Sequence, residues 1–362
     1  MKLPLRSLPA LLALALLVAC VPPQPFPSDP SGELFFPADN GARVDVMPAD
    51  CLVTGNPCPA PITLSLYPEE WNVIGLDWAA DASTAAVLAA DEPKDHLALF
   101  SPPSRQLRRF ASLAFVRETA WSPDGKQLAV AGVAEQGQKN AATNEGQMEG
   151  SNILLYSVAG KELGNLTAGM PGRKSNLGWL SADTLLFQNF LSEQDCNVYT
   201  VTVGSGSTAP WTEPQLCHAN PAISPDGAQV AFVRDGNLYL ADGDGSDATL
   251  ILDLPASIDR PAWSPDGQWI AFDETEPSAI GVVHPDGTGN RQVGESGENT
   301  GFAPLPDKAL LLARTVHGQD ASNATASWFV IPIPDGQPAA VVVPGIPPDQ
   351  MPLNLSWRPP QQ

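Results

Sequence analysis

The run DGDGSD at 242–247 is the segment of this chain whose residue types come nearest to a ligand-binding motif. Its carboxylates, Asp242, Asp244 and Asp247, could begin a calcium-binding loop, because Ca²⁺ prefers oxygen ligands. The glutamate that completes an EF-hand loop is missing, and the matching run HPDGTGN at 284–290 lacks the other acids. Since Asp-Gly is first of all a turn signal, we predict a structural hairpin here and no bound metal.

Histidines and nucleophile motifs do not add a catalytic centre. No two histidines have the HxxxH or HExxH spacing that places metal ligands on one face of a helix. No GxSxG elbow occurs, and no α/β catalytic segment of the prolyl oligopeptidase type follows the repeats described below. We therefore predict no catalytic residue, metal or cofactor, although a fold that gathers distant residues could still assemble a composite metal site. The histidines are His96, His218, His284 and His317.

The N-terminal segment has the layout of a secretory signal peptide. Basic residues precede an apolar run from Leu8 to Val18, which is shorter than the roughly 20 residues of a bilayer-spanning helix. Leu17-Val18-Ala19-Cys20 resembles the bacterial lipobox, so we predict a lipoprotein signal peptide at residues 1–19 and acylation of Cys20. The alternative is an ordinary cleavage site, with Cys20 free or disulfide-bonded. Residues 20–32 then form a proline-rich tether that spaces the body from the membrane.

The remaining four cysteines are candidates for two disulfides. Export delivers the chain to a compartment that permits disulfides, and the spacing suggests Cys51 with Cys58 and Cys196 with Cys217. Buried free thiols are the alternative. None of the cysteines has the CxxC spacing of a zinc or redox site.

Composition narrows the class of partner and the class of fold. With 40 acidic and 19 basic side chains the net charge is −21, which argues against nucleic acid or an anionic lipid surface as a partner. Solubility is the interpretation we favour for this charge, with an acidic docking face as the alternative. The 38 prolines and 30 glycines, without strong helical periodicity, favour many short strands joined by tight turns.

A repeated motif organises most of the chain. It stands as TAWSPDGKQLAVAG at 119–132, PAISPDGAQVAFV at 221–233 and PAWSPDGQWIAFD at 261–273. Proline presets the first central φ of a turn, aspartate suits the second, and glycine supplies the positive φ that closes a hairpin. The turn residues are Pro123, Asp124, Gly125, Pro225, Asp226, Gly227, Pro265, Asp266 and Gly267.

Weaker copies extend the repeat through the chain. The anchor positions lie 40 to 58 residues apart, close to the period of a four-stranded propeller blade. Their fixed places in the repeat favour aromatic wedges packed between sheets over a carbohydrate-recognition set. The anchors are Trp78, Trp121, Trp179, Ile223, Trp263, Pro304 and Trp357.

These copies resemble the TolB-like β-propeller, built from WD-repeat-like units with the signature PAWSPDGKxIAF. The resemblance covers most of residues 70–358 and is strong in three copies. It implies a closed ring of small sheets, commonly six blades in TolB itself, that acts as a protein-interaction platform in the cell envelope.

We predict an all-β propeller of seven four-stranded blades at residues 71–362, completed by N-terminal strands within 33–70. Seven anchor strands are visible, but only six are followed by a full blade, so the strand near Trp357 needs partners. Glu33 to Phe36, Arg43 to Val46 and Ile62 to Leu66 could supply them, removing exposed sheet edges. The alternative is six blades, with the N-terminal region as a separate cap held by the first disulfide.

Two polar insertions indicate where a partner could bind. Val133 to Gly150 and Thr315 to Ser327 both lie between a second and a third strand, as loops on one face of the ring. We predict a monomeric, non-catalytic scaffold, extracytoplasmic and held to the bacterial envelope by its lipid, that binds a protein, peptide or glycan. The alternative is a propeller hydrolase, lactonase-like or glycan-cleaving, with a metal at the mouth of the channel.

Overall fold

The computed structural model arranges the chain as seven antiparallel sheets of four strands each. The first strands of neighbouring sheets contact one another at six of the seven junctions, and a shared core cluster that includes Leu34 and Leu310 joins the remaining pair, so the sheets close into a ring around a central channel. The seven-bladed, all-β propeller predicted from the repeats is therefore confirmed. The structure describes residues 32–38, 43–51, 58–64, 72–91, 94–102, 106–133, 150–192, 195–211, 218–275, 278–294, 297–304, 309–317, 325–334, 336–351 and 355–358.

Strands from both ends of the sequence share one sheet. The first three strands are β1 (Glu33–Ala38), β2 (Arg43–Pro48) and β3 (Ile62–Leu64). Six sheets of consecutive strands follow along the chain, here called blades 1 to 6. Their strands are β4 (Asn72–Trp78), β5 (Ala85–Asp91), β6 (Lys94–Ser101) and β7 (Gln106–Leu113) in blade 1; β8 (Phe115–Trp121), β9 (Gln127–Val133), β10 (Asn152–Ser157) and β11 (Glu162–Asn165) in blade 2; β12 (Arg173–Trp179), β13 (Thr184–Phe190), β14 (Cys196–Thr202) and β15 (Ser207–Pro210) in blade 3; β16 (His218–Ile223), β17 (Gln229–Arg234), β18 (Asn237–Asp242) and β19 (Thr249–Leu252) in blade 4; β20 (Ile258–Trp263), β21 (Ile270–Thr275), β22 (Ser278–Val283) and β23 (Arg291–Gly294) in blade 5; and β24 (Glu298–Pro304), β25 (Ala309–His317), β26 (Thr325–Ile333) and β27 (Ala339–Ala340) in blade 6.

The last strand, β28 (Ser356–Arg358), closes the ring by pairing with β1. Blade 7 therefore has the order β28-β1-β2-β3. Glu33 stands opposite Arg358 in this pair, and their side chains form a buried ion pair of 3.0 Å. The seam between the two ends of the sequence thus combines backbone pairing with a charged contact shielded from water.

The apolar core is divided into clusters, one at each interface between neighbouring blades. Second strands such as β9 and β17 are buried along nearly their whole length, because neighbouring blades cover both of their faces. This explains why the residues after each Pro-Asp-Gly turn form a continuous apolar run rather than an alternating one.

Each complete Ser-Pro-Asp-Gly turn is fixed by its serine as well as by its glycine. Ser122 Oγ donates to Asp124 Oδ1 (2.7 Å) and accepts from the backbone N–H of Gln127 (2.9 Å). Gly125, with φ of 67°, donates its N–H to the carbonyl of Ser122. The same contacts recur at Ser224 and Ser264, so the buried serine hydroxyl ties the turn to the start of the second strand.

Three of the anchor tryptophans, which are buried or half-buried wedges, also carry hydrogen bonds between blades. Trp121 Nε1 donates to the carbonyl of Asp77 (3.0 Å), Trp179 Nε1 to that of Ala120 (3.0 Å), and Trp263 Nε1 to that of Ala222 (2.9 Å). In each case the acceptor lies just before the anchor of the preceding blade. Apolar packing alone therefore does not account for tryptophan at this position.

The second predicted insertion is shorter than its sequence suggested. Residues 315–317 and 325–327 were expected in a loop, yet they extend β25 and β26 as a paired ladder from Thr315 opposite Ser327 to His317 opposite Thr325. Antiparallel pairing satisfies the backbone groups of these residues, which a loop would leave to solvent. Most of the first insertion, residues 134–149, lies outside the described residues, as do residues 318–324 and 65–70.

Candidate binding site at the channel mouth

The order of strands gives the ring two different faces. Connections from second to third strands, and from one blade to the next, lie on one side, which we call the loop face. The Ser-Pro-Asp-Gly turns and the connections from third to fourth strands lie on the other, the turn face. Both insertions open on the loop face, whereas β1 begins and β28 ends on the turn face.

The first strands line the channel and are irregular at the same level in blades 1 to 6. A bulge interrupts the pairing of each with its second strand. In blades 3 to 5 the bulge contains a residue of positive φ: Asn176 (52°), Asn220 (50°) and Arg260 (45°). Asparagine adopts this conformation readily, whereas arginine does so at a cost that its surroundings must offset.

The bulged asparagines form a hydrogen-bonded chain between blades. Asn176 Nδ2 donates to Gln188 Oε1 (2.6 Å) and to Asn220 Oδ1 of the next blade (2.9 Å). Asn220 in turn donates through Nδ2 to the carboxylate of Asp259 in blade 5. The asparagine side chains that line this part of the channel are thus engaged in hydrogen bonds between blades.

Blades 5 and 6 are joined by a charged cluster instead. Arg260 contacts Asp273 (2.8 Å) and Glu298 (3.0 Å), and Arg314 also contacts Glu298 (3.0 Å). Burial raises the pKa of Asp273 to about 6, although Asn299 and Arg260 donate to it. Burial also acts against ionisation of Glu298, but hydrogen bonds from Arg314 and Arg260 lower its pKa. Both carboxylates are therefore ion-paired with arginines.

Asp77 is an acid in the channel wall whose pKa is displaced strongly upward. Burial raises the pKa of Asp77 to about 7, while Thr119 Oγ1, which donates to its Oδ2 (2.9 Å), acts in the opposite direction. The carboxylate is enclosed by protein, yet the residue as a whole keeps partial contact with solvent. Asp77 therefore holds a proton near neutral pH without a basic partner in hydrogen-bond contact among the described residues.

Arg117 and Arg173 bring positive charge to the loop-face end of the channel. Each guanidinium lies over an aromatic ring of its own blade, Arg117 over Phe115 (5.3 Å) and Arg173 over Phe190 (4.3 Å). The Nε of each is buried without a hydrogen-bond acceptor among the described residues. The pKa of Arg117 is lowered by burial and by the charge of Arg173, so the two guanidinium groups repel each other.

The carboxylate of Glu118 lies within electrostatic reach of both arginines. It is engaged by the backbone, since it accepts the N–H of Leu177 from the next blade. Burial raises the pKa of Glu118 despite that bond and the nearby arginines. Asp95 adds a second carboxylate close to Arg117, since its Oδ2 accepts the N–H of Val116 (2.7 Å), so acids and arginines are present in equal number here.

Beside Arg117 a pocket of about 450 Å³ opens where blades 7, 1 and 2 meet. Its apolar lining comes from four distant parts of the sequence, including Phe35, Leu76 and Leu355. Ile74 and Phe115, at its edge, are exposed large apolar residues at 37% and 42%. The lining also has polar groups, Arg117 and Asp95 among them, and a pocket of this size with mixed walls has the general character of a ligand site.

The site residues predicted from the sequence lie elsewhere. The Pro-Asp-Gly turns are on the turn face, and DGDGSD forms a hairpin in which Gly245 donates to the carbonyl of Asp242 (2.8 Å). Three histidines have hydrogen-bonding roles in separate blades: His96 with Ser112, His284 with the carbonyl of Gln268, and His317 with Ser327. Within the described residues no group of three or more His, Cys, Asp or Glu side chains could hold a metal ion.

The cysteines are placed as follows. Cys51 is disulfide-bonded to Cys58 beside the core cluster between blades 6 and 7. Cys196 is also disulfide-bonded, but Cys217 lies outside the described residues, as do Cys20 and the predicted signal peptide. No helix in the described part of the chain is both long enough and apolar enough to cross a membrane.

Comparison with known proteins agrees with the fold. Residues 199–315, which include two complete Ser-Pro-Asp-Gly repeats, match the family described as Lipoprotein LpqB beta-propeller domain. Part of this β-propeller is thus similar to the propeller domain of a lipoprotein family. The matched segment covers less than half of the chain, from β14 to β25.

Similar proteins include both peptidases and TolB proteins. The chain is 25% identical over 160 residues to "Uncharacterized peptidase YuxL" of Bacillus subtilis (strain 168). This match covers 37% of this chain and 24% of that protein, so the chain spans about a quarter of the relative's length. The β-propeller domain of the Trilobed protease from Pyrococcus furiosus aligns with 84% of this chain and 91% of its own, at 12% identity and a TM-score of 0.57. The putative TolB from Agrobacterium tumefaciens aligns with 72% of this chain and 87% of its own, at 17% identity and a TM-score of 0.46.

The solved propeller of the Pyrococcus protease supports the fold alone. Its description specifies an open velcro topology, whereas in this chain β28 pairs with β1 and the ring is closed by both ends of the sequence. This β-propeller is thus a closed ring.

Proposed function

We propose that this chain is a lipid-anchored, extracytoplasmic scaffold that binds a protein, peptide or glycan partner on its loop face and does not catalyse a reaction. The proposal rests above all on where the chain enters the ring. Glu33 begins β1 on the turn face, so a tether attached through Cys20 leaves from that side. The loop face then points away from the membrane.

The length of the predicted tether fits this orientation. Residues 20–32 are rich in proline and would reach about 40 Å in an extended polyproline conformation at about 3.1 Å per residue. That distance separates the turn face from the lipid headgroups and leaves the loop face open to a soluble or envelope-bound partner. The match to a lipoprotein propeller family supports an envelope location.

The chemistry of the channel also favours binding over catalysis. Asp273 and Glu298 are paired with arginines, and the bulged asparagines are hydrogen-bonded to the neighbouring blade. A catalytic acid or base has to remain available to a substrate, whereas these groups are engaged in holding blades together. The neighbours named as peptidases share the propeller, and for this chain we propose no peptidase activity.

A pull-down from detergent-solubilised envelopes tests the proposal. The lipidated chain is compared with a variant in which residues 134–149 are replaced by a short Gly-Ser turn, and with a control in which the same Gly-Ser residues are inserted into the exposed turn at 203–206 on the turn face. We expect one specific partner to be lost from the first variant and retained by the control. Capture of no partner, together with a stoichiometric metal by elemental analysis, would instead favour the propeller hydrolase.

A further inference from the structure

The ammonium group of Lys174 is buried at the junction of blades 2 and 3 and is held by backbone alone. The residue is completely buried, and no carboxylate among the described residues is in hydrogen-bond contact with it. Its Nζ donates to the carbonyls of Met170 (2.6 Å), Pro171 (3.0 Å) and Gly172 (2.8 Å). Burial lowers the pKa of Lys174 to about 8, so at pH 7 the group keeps its proton and all three donors.

The three carbonyls belong to a segment that is able to move. Residues 166–172, here called the strap, join blade 2 to blade 3 on the loop face. Gly169 and Gly172 have positive φ (80° and 96°), a conformation that glycine adopts at little cost, so the strap has a possible hinge in its middle and another at its end. Ala168, Gly169 and Pro171 are exposed. Carbonyls of this part of the strap can therefore pass from Lys174 to water.

The strap also supports the chain where the first insertion ends. The carbonyl of Gly172 accepts the N–H of Ser151 (3.1 Å), and Ser151 Oγ accepts the N–H of Lys174 (2.7 Å). Ser151 directly follows the last residue of that insertion, Gly150. A displaced strap therefore also removes a hydrogen bond that fixes the start of the third strand of blade 2.

Two buried amide oxygens beside Lys174 lack a hydrogen-bond donor. Lys174 stands opposite Asn189 on β13, and Asn189 stands opposite Asn197 on β14, so the three side chains form a row on one face of blade 3. Asn189 and Asn197 are only 3% and 4% exposed, and the Oδ1 of each has no donor among the described residues. Asn197 Nδ2 donates to Asp195 Oδ1 (2.9 Å), which fixes the direction of its own Oδ1.

These oxygens offer Nζ a second set of acceptors. Side chains directly opposite on neighbouring strands have Cβ atoms about 5 Å apart, a distance that the four-carbon stem of lysine spans. Asn189 Oδ1 also lies beside the strap, 2.7 Å from the place that a Cβ on Gly172 would take. A change of rotamer at Lys174 would then satisfy two buried oxygens that water does not reach, while water satisfies the strap carbonyls that Nζ has left.

We propose that Lys174 is a latch with two positions, one that holds the strap closed and one, on Asn189 and Asn197, that lets it open. Three hydrogen bonds stabilise the closed position, together with the side chain of Met170, which packs against the core cluster between blades 2 and 3. The open position frees Ser151 from Gly172. The latch is a property of the chain without a partner, so it does not depend on the proposed scaffold function.

Hydrogen exchange of the detergent-solubilised full chain at pH 7, resolved by mass spectrometry, tests the latch. The reporting amides are those of Ser151, which donates to Gly172, and Met170, which donates to the carbonyl of Thr167 (3.0 Å). Relative to their intrinsic rates, both should exchange at least tenfold faster than the amides of β17, a buried strand paired on both sides. Such a difference would show that the strap opens without unfolding of the propeller.

Three variants separate the two positions of the latch. Asn189→Leu removes one alternative acceptor at nearly the same volume and should slow exchange of both reporting amides about tenfold. Lys174→Met keeps the length of the side chain without its donors and should speed exchange about tenfold or more. Lys161→Met is the matched control, because Lys161 is exposed in blade 2, and it should leave both rates unchanged.

Three outcomes would overturn the latch. Exchange of Ser151 and Met170 as slow as that of β17 would show that the strap does not open on its own. Equal rates in Asn189→Leu and the unmodified chain would show that the amide oxygens are not an alternative position. Equal acceleration in Lys161→Met and Lys174→Met would assign the effect to lost charge. If thermal unfolding shows that Lys174→Met does not fold, the first two comparisons still decide.

Discussion

Asp77 gives the sharpest test of the electrostatics of the channel wall. Its folded-state pKa of about 7 lies above its ordinary value of 3.8, so the folded protein holds this proton more tightly than the unfolded chain. The stability associated with the proton is therefore fully present below pH 3.8 and is lost as the pH rises through 7. Replacing Asp77 by Asn removes the ionisation and should flatten this part of the pH dependence.

The magnitude follows from the size of the displacement. If a carboxyl group with this pKa were completely excluded from water, its ionisation at alkaline pH would lower the free energy of unfolding by about 4 kcal/mol. Asp77 keeps partial contact with solvent through the channel, so we expect about 2 kcal/mol. The Asp77→Asn variant should therefore gain about 2 kcal/mol relative to the unmodified chain between pH 4.5 and pH 8.5.

Urea unfolding at constant ionic strength, followed by tryptophan fluorescence over that pH range, measures the difference directly. Asp124→Asn is the control, since Ser122 and Lys126 lower the pKa of Asp124 to about 2. Asp124 is therefore ionised throughout this pH range in the folded and the unfolded chain, and its replacement should change stability by the same amount at every pH. If the unfolding free energies of the unmodified chain and Asp77→Asn run parallel from pH 4.5 to 8.5, Asp77 is not held protonated and the account of the channel wall is wrong.

Two further predictions concern contacts between blades. Trp263→Phe should lower the free energy of unfolding in urea by about 1–2 kcal/mol more than Trp78→Phe does. The reason is that Trp263 Nε1 donates to the preceding blade, whereas Trp78 Nε1 is buried without an acceptor among the described residues. Equal losses would show that the indole hydrogen bond contributes nothing. Glu33→Gln should lower the free energy of unfolding by about 3–5 kcal/mol, because Arg358 stays buried without its carboxylate partner. The double variant Glu33→Leu with Arg358→Met should lose less stability in thermal unfolding than Glu33→Gln alone. A double variant as unstable as the single one would contradict this account of the seam.

The architecture could be predicted from the sequence because the repeat carries its own turn chemistry. Pro123, Asp124 and Gly125 identify a hairpin at a fixed place in each blade, and the spacing of the anchors gives the number of blades. The serine before each turn was equally visible in the sequence. Its hydrogen bonds to the aspartate and to the next strand explain why it recurs.

The features of the channel could not be predicted in the same way. Asn176 and Asn220 stand at the same place in their repeats, three residues before the anchor, and asparagine is common at positive φ, so a bulge could have been inferred there. The pocket had no comparable signal. Phe35, Leu355 and Arg117 meet only because β28 pairs with β1 beside blades 1 and 2, and no local pattern specifies that contact.

The seam between β1 and β28 also bears on how the chain reaches its final state after export. Glu33 and Arg358 are separated by 325 positions, so in the proposed exported protein β1 crosses the membrane long before its partner strand. Blades 1 to 6 can form meanwhile from consecutive hairpins, which are local contacts and fold quickly. Until β28 arrives, the apolar segment Leu34 to Phe36 has an open edge of the kind that recruits strands from other chains. A chaperone that recognises residues 33–38 would therefore be most useful in the interval between the completion of blade 6 and the arrival of residues 356–358.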